Sequence, residues 1–182
     1  MPRYIAFLRA INVGGHNVKM DQLRILFEQL GFSNVETFIA SGNVIFDSPA
    51  TNVQQIEQQI ERHLQAALGY AVATFIRSTA ELAAVAAYQP FAPAELTQEG
   101  SSMYIAFLQA APGDAAAQKL LTFRTEVDDF HVHDREFYWL RRIRMSDSTF
   151  SGALFEKTIG MPATMRNVTT VRKLAAKYPA AQ

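Results

Sequence analysis

The residues best suited to bind a ligand lie in a loop close to the N-terminus. An apolar segment, Tyr4–Leu8, is followed by Arg9 and by the pair Gly14-Gly15, and a helical pattern begins near Lys19. Glycines between a strand and a helix let backbone N–H groups approach an anion, and the first turn of a helix favours negative charge. The loop therefore predicts an anion-accepting site. The alternative is that Gly14-Gly15 only makes a turn, because the spacing is neither that of a P-loop nor that of a dinucleotide-binding fingerprint.

A second polar segment, Ser41-Gly42-Asn43, is predicted to lie beside this loop. In a split β-α-β-β-α-β arrangement the first strand lies between the fourth and the third strands and is antiparallel to the third. The exit of strand 1 and the turn between strands 2 and 3 then share one end of the sheet. The alternative is that this segment is ordinary hairpin chemistry. We predict a pocket for an anionic small molecule formed by Arg9, Asn12, Gly14, Gly15, Asn17, Lys19, Ser41 and Asn43, with Arg166 contributed by the C-terminal segment.

A possible metal-ligand pattern lies in the second half of the chain. Asp129, His131 and His133 share one face of a strand at a spacing that can bind a metal. The other face carries Phe130 and Val132, so the polar residues are explained more simply as the solvent side of that strand. We predict no metal site and no cofactor.

Few residues offer catalytic chemistry. The chain has no cysteine, which excludes disulfides, thiolate zinc sites and cysteine nucleophiles, and it has no Gly-x-Ser-x-Gly motif. His16, in the glycine loop, is the histidine best placed for acid–base catalysis, although a loop histidine is more often solvated. Phe137, Tyr138 and Trp139 could stack on nucleic acid bases, but core packing explains them more simply because Phe137 and Trp139 share a strand face.

Charge is balanced overall and uneven along the chain. The net charge is zero, so no global field attracts nucleic acid, and a nucleic acid partner is not favoured. From Arg141 onward eight basic residues stand against two acidic ones, a local charge of +6. This segment is interpreted first as a solvated basic face on C-terminal helices, and alternatively as an anion-binding surface.

The elements that would position these residues form a repeat. Tyr4-Ile5-Ala6-Phe7-Leu8 reappears unchanged as Tyr104–Leu108, which suggests a duplication. The first copy predicts a helix closed by Gly31, strands over 35–40 and 44–47 joined by a tight turn, a helix capped by Thr51 and Gln54 that buries residues from Val53 to Ala67, and a strand over 71–76. The order is that of a ferredoxin-like unit.

The second copy repeats this order incompletely. It predicts a helix from Asp114, strands over 129–132 and 137–140, and a helix over 149–159, but no fourth strand, and it ends in a helix. We therefore predict an α+β fold of two diverged ferredoxin-like (βαββαβ-type) halves, the second incomplete. The halves are residues 1–90 and 91–182, packed as one unit, with the boundary at Pro90–Pro93.

The core is predicted from the apolar faces of these elements. Both faces of the repeated strand are apolar, so both faces of each sheet must be covered. The side chains expected to be largely buried are Phe7, Leu23, Phe27, Ile60, Phe107 and Leu121.

Three motifs resemble a known family. Phe7–Gly15 (FLRAINVGG), Ser41–Val44 (SGNV) and Thr164–Asn167 leading to Thr170–Leu174 are similar to motifs of a bacterial family of conserved hypothetical proteins, a domain of unknown function known mainly through structural genomics. The resemblance covers essentially the whole chain. It implies an α+β fold with a ferredoxin-like N-terminal half, and it implies no activity.

Several functions therefore stay open. The sequence has no signal peptide pattern and no apolar run long enough to span a bilayer, so we expect a cytoplasmic protein without a membrane segment. The first hypothesis is a module that binds an anionic small molecule. The alternatives are an enzyme acting on such a molecule and a protein-interaction module with no small ligand, and a homo-oligomer is compatible with each.

Overall fold

The chain forms two compact units. The computed structural model describes residues 1–142 and 148–181. Unit 1 comprises Met1–Ala83 and the C-terminal residues from Leu174, and unit 2 comprises Ala84–Lys173. The halves expected from the sequence, 1–90 and 91–182, stay a prediction, because compactness alone does not test which segments fold together.

Unit 1 has the split arrangement predicted from the sequence. Its four strands are antiparallel to their neighbours in the order β2-β3-β1-β4, which is the predicted order. The elements are β1 Arg3–Leu8, α1 Met20–Glu28, β2 Ser33–Thr37, β3 Asn43–Asp47, α2 Val53–Leu68, β4 Thr74–Ser78 and α3 Thr79–Ala87, the last of which continues into unit 2.

Unit 2 has the same topology and is complete. Its order is β6-β7-β5-β8, so the predicted absence of a fourth strand is wrong. The missed strand is short and polar, and its pairing with β5 determines it, so no apolar alternation marks it in the sequence. The elements are α4 Pro93–Leu96, β5 Ser102–Phe107, α5 Asp114–Leu121, β6 Asp128–His133, β7 Glu136–Arg141, α6 Gly152–Ile159, β8 Thr164–Asn167 and α7 Val168–Lys177, whose end lies in unit 1.

The strand register supports the duplication. Tyr4–Leu8 and Tyr104–Leu108 occupy the same position in the two sheets. Ile5 pairs with Arg77, and Ile105 pairs with Arg166. Both arginines are buried, and each donates from Nη1 to the carbonyl oxygen of the preceding residue, over 2.8 Å and 2.9 Å respectively. The two copies therefore share a buried side chain that the pentapeptide match did not reveal.

Both faces of each sheet are buried, as predicted. In unit 1, Tyr4, Ala6 and Leu8 pack in one cluster with apolar residues of α1 and α2, whereas Ile5 and Phe7 lie on the opposite face and are also fully buried. The predicted core is confirmed for Phe7, Leu23, Phe27, Ile60 and Phe107. Leu121 is only partly buried, because it is the last residue of α5 and Leu120 takes the inward position.

Element boundaries differ in places where capping and pairing decide them. Asn52, not Thr51, caps α2 by accepting from the Gln55 N–H over 3.1 Å, and Ala67 is exposed. Ser151 caps α6, which begins later than predicted. The expected tight turn between β2 and β3 is a five-residue connection, 38–42, because β2 ends at Thr37.

Candidate functional site

Two connections of unit 1 lie together at one end of its sheet, as the sequence predicted. They are the β1–α1 loop, residues 9–19, and the β2–β3 connection, residues 38–42; we call them the loop pair. The Leu8 N–H donates to the Gly42 carbonyl over 2.8 Å, and Asn12 Nδ2 donates to the Ala40 carbonyl over 3.2 Å. The loop pair is therefore held together at the exit of β1.

Asn12 joins the two loops and also closes the first. Its Oδ1 accepts from the Val18 N–H over 2.8 Å, while its Nδ2 donates to Ala40 in the other loop. Both functional groups of the amide are thus engaged by backbone. Asn12 acts as a positioning residue for the loop pair.

Gly42 and Asn43 hold the second loop in place. Gly42 has a φ of +74°, and a Cβ added there would lie 2.7 Å from Ile11 Cγ2, so the position requires glycine. Asn43 is fully buried, and its Nδ2 donates to the Phe38 carbonyl over 3.0 Å and to Ser41 Oγ over 2.9 Å. These contacts order the connection and leave Ser41 exposed at its tip.

Gly14 and Gly15 differ from Gly42 in having open space around them. Their φ angles are +63° and +86°, and within the described part of the chain no non-neighbouring atom lies within 4 Å of an added Cβ at either position. Both residues are exposed. The glycines are therefore needed for backbone conformation, and their peptide groups border solvent.

The cations of the loop pair are exposed. Arg9 and Lys19 border the first loop and Asn17 lies within it, and all three are exposed. Lys19 is the residue that precedes the first turn of α1, and Arg9 is anchored by its backbone N–H, which donates to the Ala73 carbonyl over 2.9 Å. Residues 9–19 and 38–42 contain no aspartate or glutamate, so the loop pair has a positive formal charge.

His16 is supported by a tyrosine. The imidazole ring stacks on the Tyr70 ring with centroids 3.7 Å apart and planes inclined by 21°. Burial raises the pKa of the Tyr70 phenol. The backbone N–H of His16 also donates to the Val13 carbonyl over 3.2 Å. The backbone contact and the ring stacking together give the imidazole a defined position beside Gly15.

Two residues of the loop pair have an unfavourable backbone conformation. Ala10 has a φ of +55° and Ile39 a φ of +51°. The left-handed region costs an L-residue about 1–2 kcal/mol, and a β-branched residue there is an outlier. Ile39 is also 54% exposed, so its side chain recovers little free energy through burial. Such local strain is concentrated at functional sites.

Unit 2 shows how short these connections can be. Its β5–α5 connection is residues 108–113 and its β6–β7 turn is residues 134–135, against 9–19 and 38–42 in unit 1. The junction itself is the same, because the Leu108 N–H donates to the Arg135 carbonyl over 2.9 Å as Leu8 does to Gly42. The fold therefore does not require the additional residues of the loop pair.

Arg166 lies in unit 2, on β8. Its guanidinium is buried, and Nη1 donates to Thr164 Oγ1 over 2.7 Å and to the Met165 carbonyl over 2.9 Å. Burial lowers the pKa of Arg166 to about 10. Its predicted contribution to the anion pocket stays a prediction.

The basic C-terminal segment is not a uniform solvated face. Arg141 is buried, and Arg142 pairs with Glu95 and Asp129. Arg144 lies outside the described residues. The interpretation as a solvated face is therefore wrong for Arg141, Arg142 and Arg166, since contacts within unit 2 take up these side chains.

The histidines of β6 have partners other than a metal. His131 Nε2 lies 2.7 Å from the Tyr88 hydroxyl, and Tyr88 stacks on His133 at 4.1 Å between centroids. Asp129 pairs with Arg124 over 2.9 Å. Within residues 1–142 and 148–181, no three His, Asp or Glu side chains are grouped so that they could hold a metal ion.

The aromatic residues of β7 belong to the core. Phe137 and Tyr138 are fully buried, and Trp139 donates from Nε1 to Asp128 over 2.7 Å. The alternative that these rings stack on bases is therefore wrong. Sequence reasoning did not single out Val13, Ile39 or Tyr70. The exposure of Val13, the backbone strain at Ile39 and the stacking of Tyr70 on His16 depend on tertiary contacts.

Comparisons with known proteins agree on fold and are silent on activity. Residues 1–138 match the family model described as protein of unknown function (DUF1697). A solved structure of a conserved bacterial protein from Streptococcus pneumoniae is similar at 23% identity, covers 99% of each chain and has a TM-score of 0.69. No curated protein matches the chain. No helix in the described part of the chain is both long and apolar enough to cross a membrane.

Proposed function

We propose, for this chain, which belongs to the DUF1697 family of proteins of unknown function, that unit 1 binds an anionic small molecule at the loop pair. The ligand carries a phosphate or a carboxylate group. Gly14, Gly15, Arg9 and Lys19 provide the recognition, and Asn17 and Ser41 border the ligand.

The observation that carries this proposal is the asymmetry between the two units. Both units make the same junction at this end of the sheet, yet only unit 1 has long connections there. Loops gain length and strain most readily where they bind something, because a fold does not need them for packing. The loop pair also contains two glycines with open peptide groups and two exposed cations.

Each group has a distinct role in binding. Gly14 and Gly15 offer backbone N–H groups without a Cβ in the way. Arg9 can contact two oxygens of one anion through its planar guanidinium, whereas Lys19 supplies a point charge. Lys19 also precedes the first turn of α1, where the helix dipole favours negative charge. Asn12 and Asn43 maintain the loop geometry.

Ligand binding is the direct test. The protein is screened by thermal shift against inorganic phosphate, sugar phosphates, nucleotides and organic acids, because a ligand of the folded state raises the melting temperature. Hits are titrated by calorimetry in the wild type, Lys19→Ala and Gly15→Val. We expect at least a tenfold loss of affinity in both variants.

Unit 2 supplies the matched controls. Lys119 is exposed, and Gly160 is exposed with a φ of +70° and open space around it, so Lys119→Ala and Gly160→Val make the same changes away from the loop pair. These controls are expected to leave affinity unchanged. Folding of every variant is checked by circular dichroism. Hits that bind Lys19→Ala and Gly15→Val as tightly as the wild type would refute the proposal.

Catalysis is a second candidate because of one observation. His16 is held against Tyr70 beside Gly15, so an imidazole borders the proposed anion site. Such a group could act as a general acid or base on a bound substrate. Turnover of a ligand found in the screen, lost in His16→Ala while binding persists, would assign an enzyme; binding without turnover leaves a binding module.

A further inference from the structure

Apolar side chains are exposed on both members of the loop pair. Val13 in the first loop is 58% exposed, similar to Ile39 in the second. Among the described residues, the exposed large apolar side chains are Met1, Val13, Ile25 and Ile39. Two of the four therefore lie on the two members of the loop pair, at the same end of one sheet.

The two loop segments that carry these side chains are joined by a hydrogen bond. Asn12, which precedes Val13, donates to the carbonyl of Ala40, which follows Ile39. The hydrogen bond thus fixes the two loops to each other at residues adjacent to the apolar ones. We call Val13 and Ile39, which lie on the two joined loops, the apolar pair.

Ile39 is an unexpected residue in this position. A β-branched side chain disfavours the positive φ of +51° that Ile39 has, and its exposure leaves it without compensating core contacts. Asparagine or glycine would adopt the same backbone at lower free energy. A contact with a bound molecule would give this side chain the burial that the folded chain does not.

The surroundings of the apolar pair are cationic. Arg9 and Lys19 border the first loop, and neither loop contains an acidic residue. An apolar surface beside cations is complementary to a molecule that has both an apolar part and a negative charge. A wholly polar anion, such as inorganic phosphate, would leave the apolar pair in water.

We infer that the loop pair binds an amphipathic anion, in which a phosphate or carboxylate group is joined to an apolar chain that contacts Val13 and Ile39. This inference rests on the function proposed above and specifies its ligand class. The charged group lies at Gly14-Gly15 and the cations, and the apolar chain lies over the apolar pair.

A chain-length series tests this assignment. Inorganic phosphate and methyl, butyl and hexyl phosphate are titrated by calorimetry below their aggregation concentrations. Burial of one methylene group strengthens binding by up to about fourfold, so we expect affinity to rise about two- to fourfold for each added methylene in the wild type.

Variants separate the charged contact from the apolar one. Ile39→Asn removes the apolar side chain with a residue that tolerates a positive φ, and Val13→Thr removes apolar character with little change of shape. Both are expected to lose most of the chain-length dependence, so that hexyl phosphate binds them little more tightly than inorganic phosphate does. Ile25→Asn, a change of another exposed isoleucine on α1, is the control and keeps the full dependence.

The outcomes distinguish the two proposals. If no phosphate and no carboxylate, in this series or in the thermal-shift screen, binds at the loop pair, the proposed function itself is contradicted. If the phosphates bind through Lys19 with affinities independent of chain length, the proposed function stands and the amphipathic ligand is refuted. A chain-length dependence that persists in both Ile39→Asn and Val13→Thr also refutes it, because the apolar part would then bind elsewhere.

Discussion

At the scale of single residues, the loop pair divides into residues that build the site and residues that face solvent. Asn12, Gly42 and Asn43 make contacts that order the two loops. Gly14 and Lys19 are exposed beside them. The sequence identified both groups as polar or glycine-rich, but only the contacts show which of them have their hydrogen-bonding groups engaged.

Ile39 gives a prediction about stability at this scale. Ile39→Gly is expected to raise the free energy of unfolding by about 1 kcal/mol, because glycine adopts a φ of +51° without the steric penalty of a β-branched residue. Urea denaturation followed by circular dichroism measures the change. Ile25→Gly, in the interior of α1, is the control. It is expected to lower the free energy of unfolding by about 1 kcal/mol, because glycine is a poor helix former. A loss of stability in Ile39→Gly would show that the side chain is needed by the fold.

At the scale of elements, the edge strand β4 is protected by carboxylates. Every second backbone N–H of β4 points away from β1, and each of these N–H groups donates to a glutamate. The pairs are Thr74 with Glu61 at 2.9 Å, Ile76 with Glu57 at 2.9 Å and Ser78 with Glu81 at 2.8 Å. Unit 2 repeats the first of these, since the Ala163 N–H donates to Glu156 over 3.0 Å. Engaged N–H groups cannot pair with another strand, which limits edge-to-edge association.

Glu57 is the member of this set that is itself buried. Glu57→Ala is expected to lower the free energy of unfolding by about 1–3 kcal/mol, because it leaves the buried Ile76 N–H without this acceptor. Glu57→Gln keeps an acceptor oxygen and is expected to lose less. Amide hydrogen exchange at Ile76 provides a local readout, and unchanged protection in Glu57→Ala would contradict the role assigned to the carboxylate.

At the scale of the whole molecule, burial of both sheet faces excludes one class of function. Open ferredoxin-like sheets that bind RNA stack bases on exposed aromatic side chains. In each sheet, apolar side chains on the face opposite the one that packs on the helices are instead fully buried. They are Ile5 and Phe7 in unit 1 and Ile105 and Phe107 in unit 2. Neither sheet therefore offers such a platform.

The same burial predicts a large effect of truncation. Phe7→Ala is expected to lower the free energy of unfolding by about 3–5 kcal/mol, through lost transfer free energy and the cavity left behind. Phe107→Ala changes the equivalent residue of unit 2 and should cost a similar amount. Urea denaturation midpoints measure both. An unchanged midpoint in Phe7→Ala would show that this face contributes little to the fold.

The sequence by itself determined the repeat, the ferredoxin-like order of the first half and most of the core. These features follow from apolar periodicity and from a pentapeptide match, which are local properties of the chain. It also placed Gly14-Gly15 beside Ser41-Gly42-Asn43, because strand topology fixes which connections share an end of the sheet.

Tertiary structure decided what local pattern could not encode. The strand β8 exists because β5 offers it hydrogen bonds, although Thr164–Asn167 has no apolar alternation of its own. Arg166 is a buried core residue because its strand register pairs it with Ile105, as Arg77 pairs with Ile5. The exposure of Val13 and Ile39 likewise depends on whether other side chains of the folded chain pack against them. Burial is a property of the assembled fold, and the type of a residue limits it without fixing it.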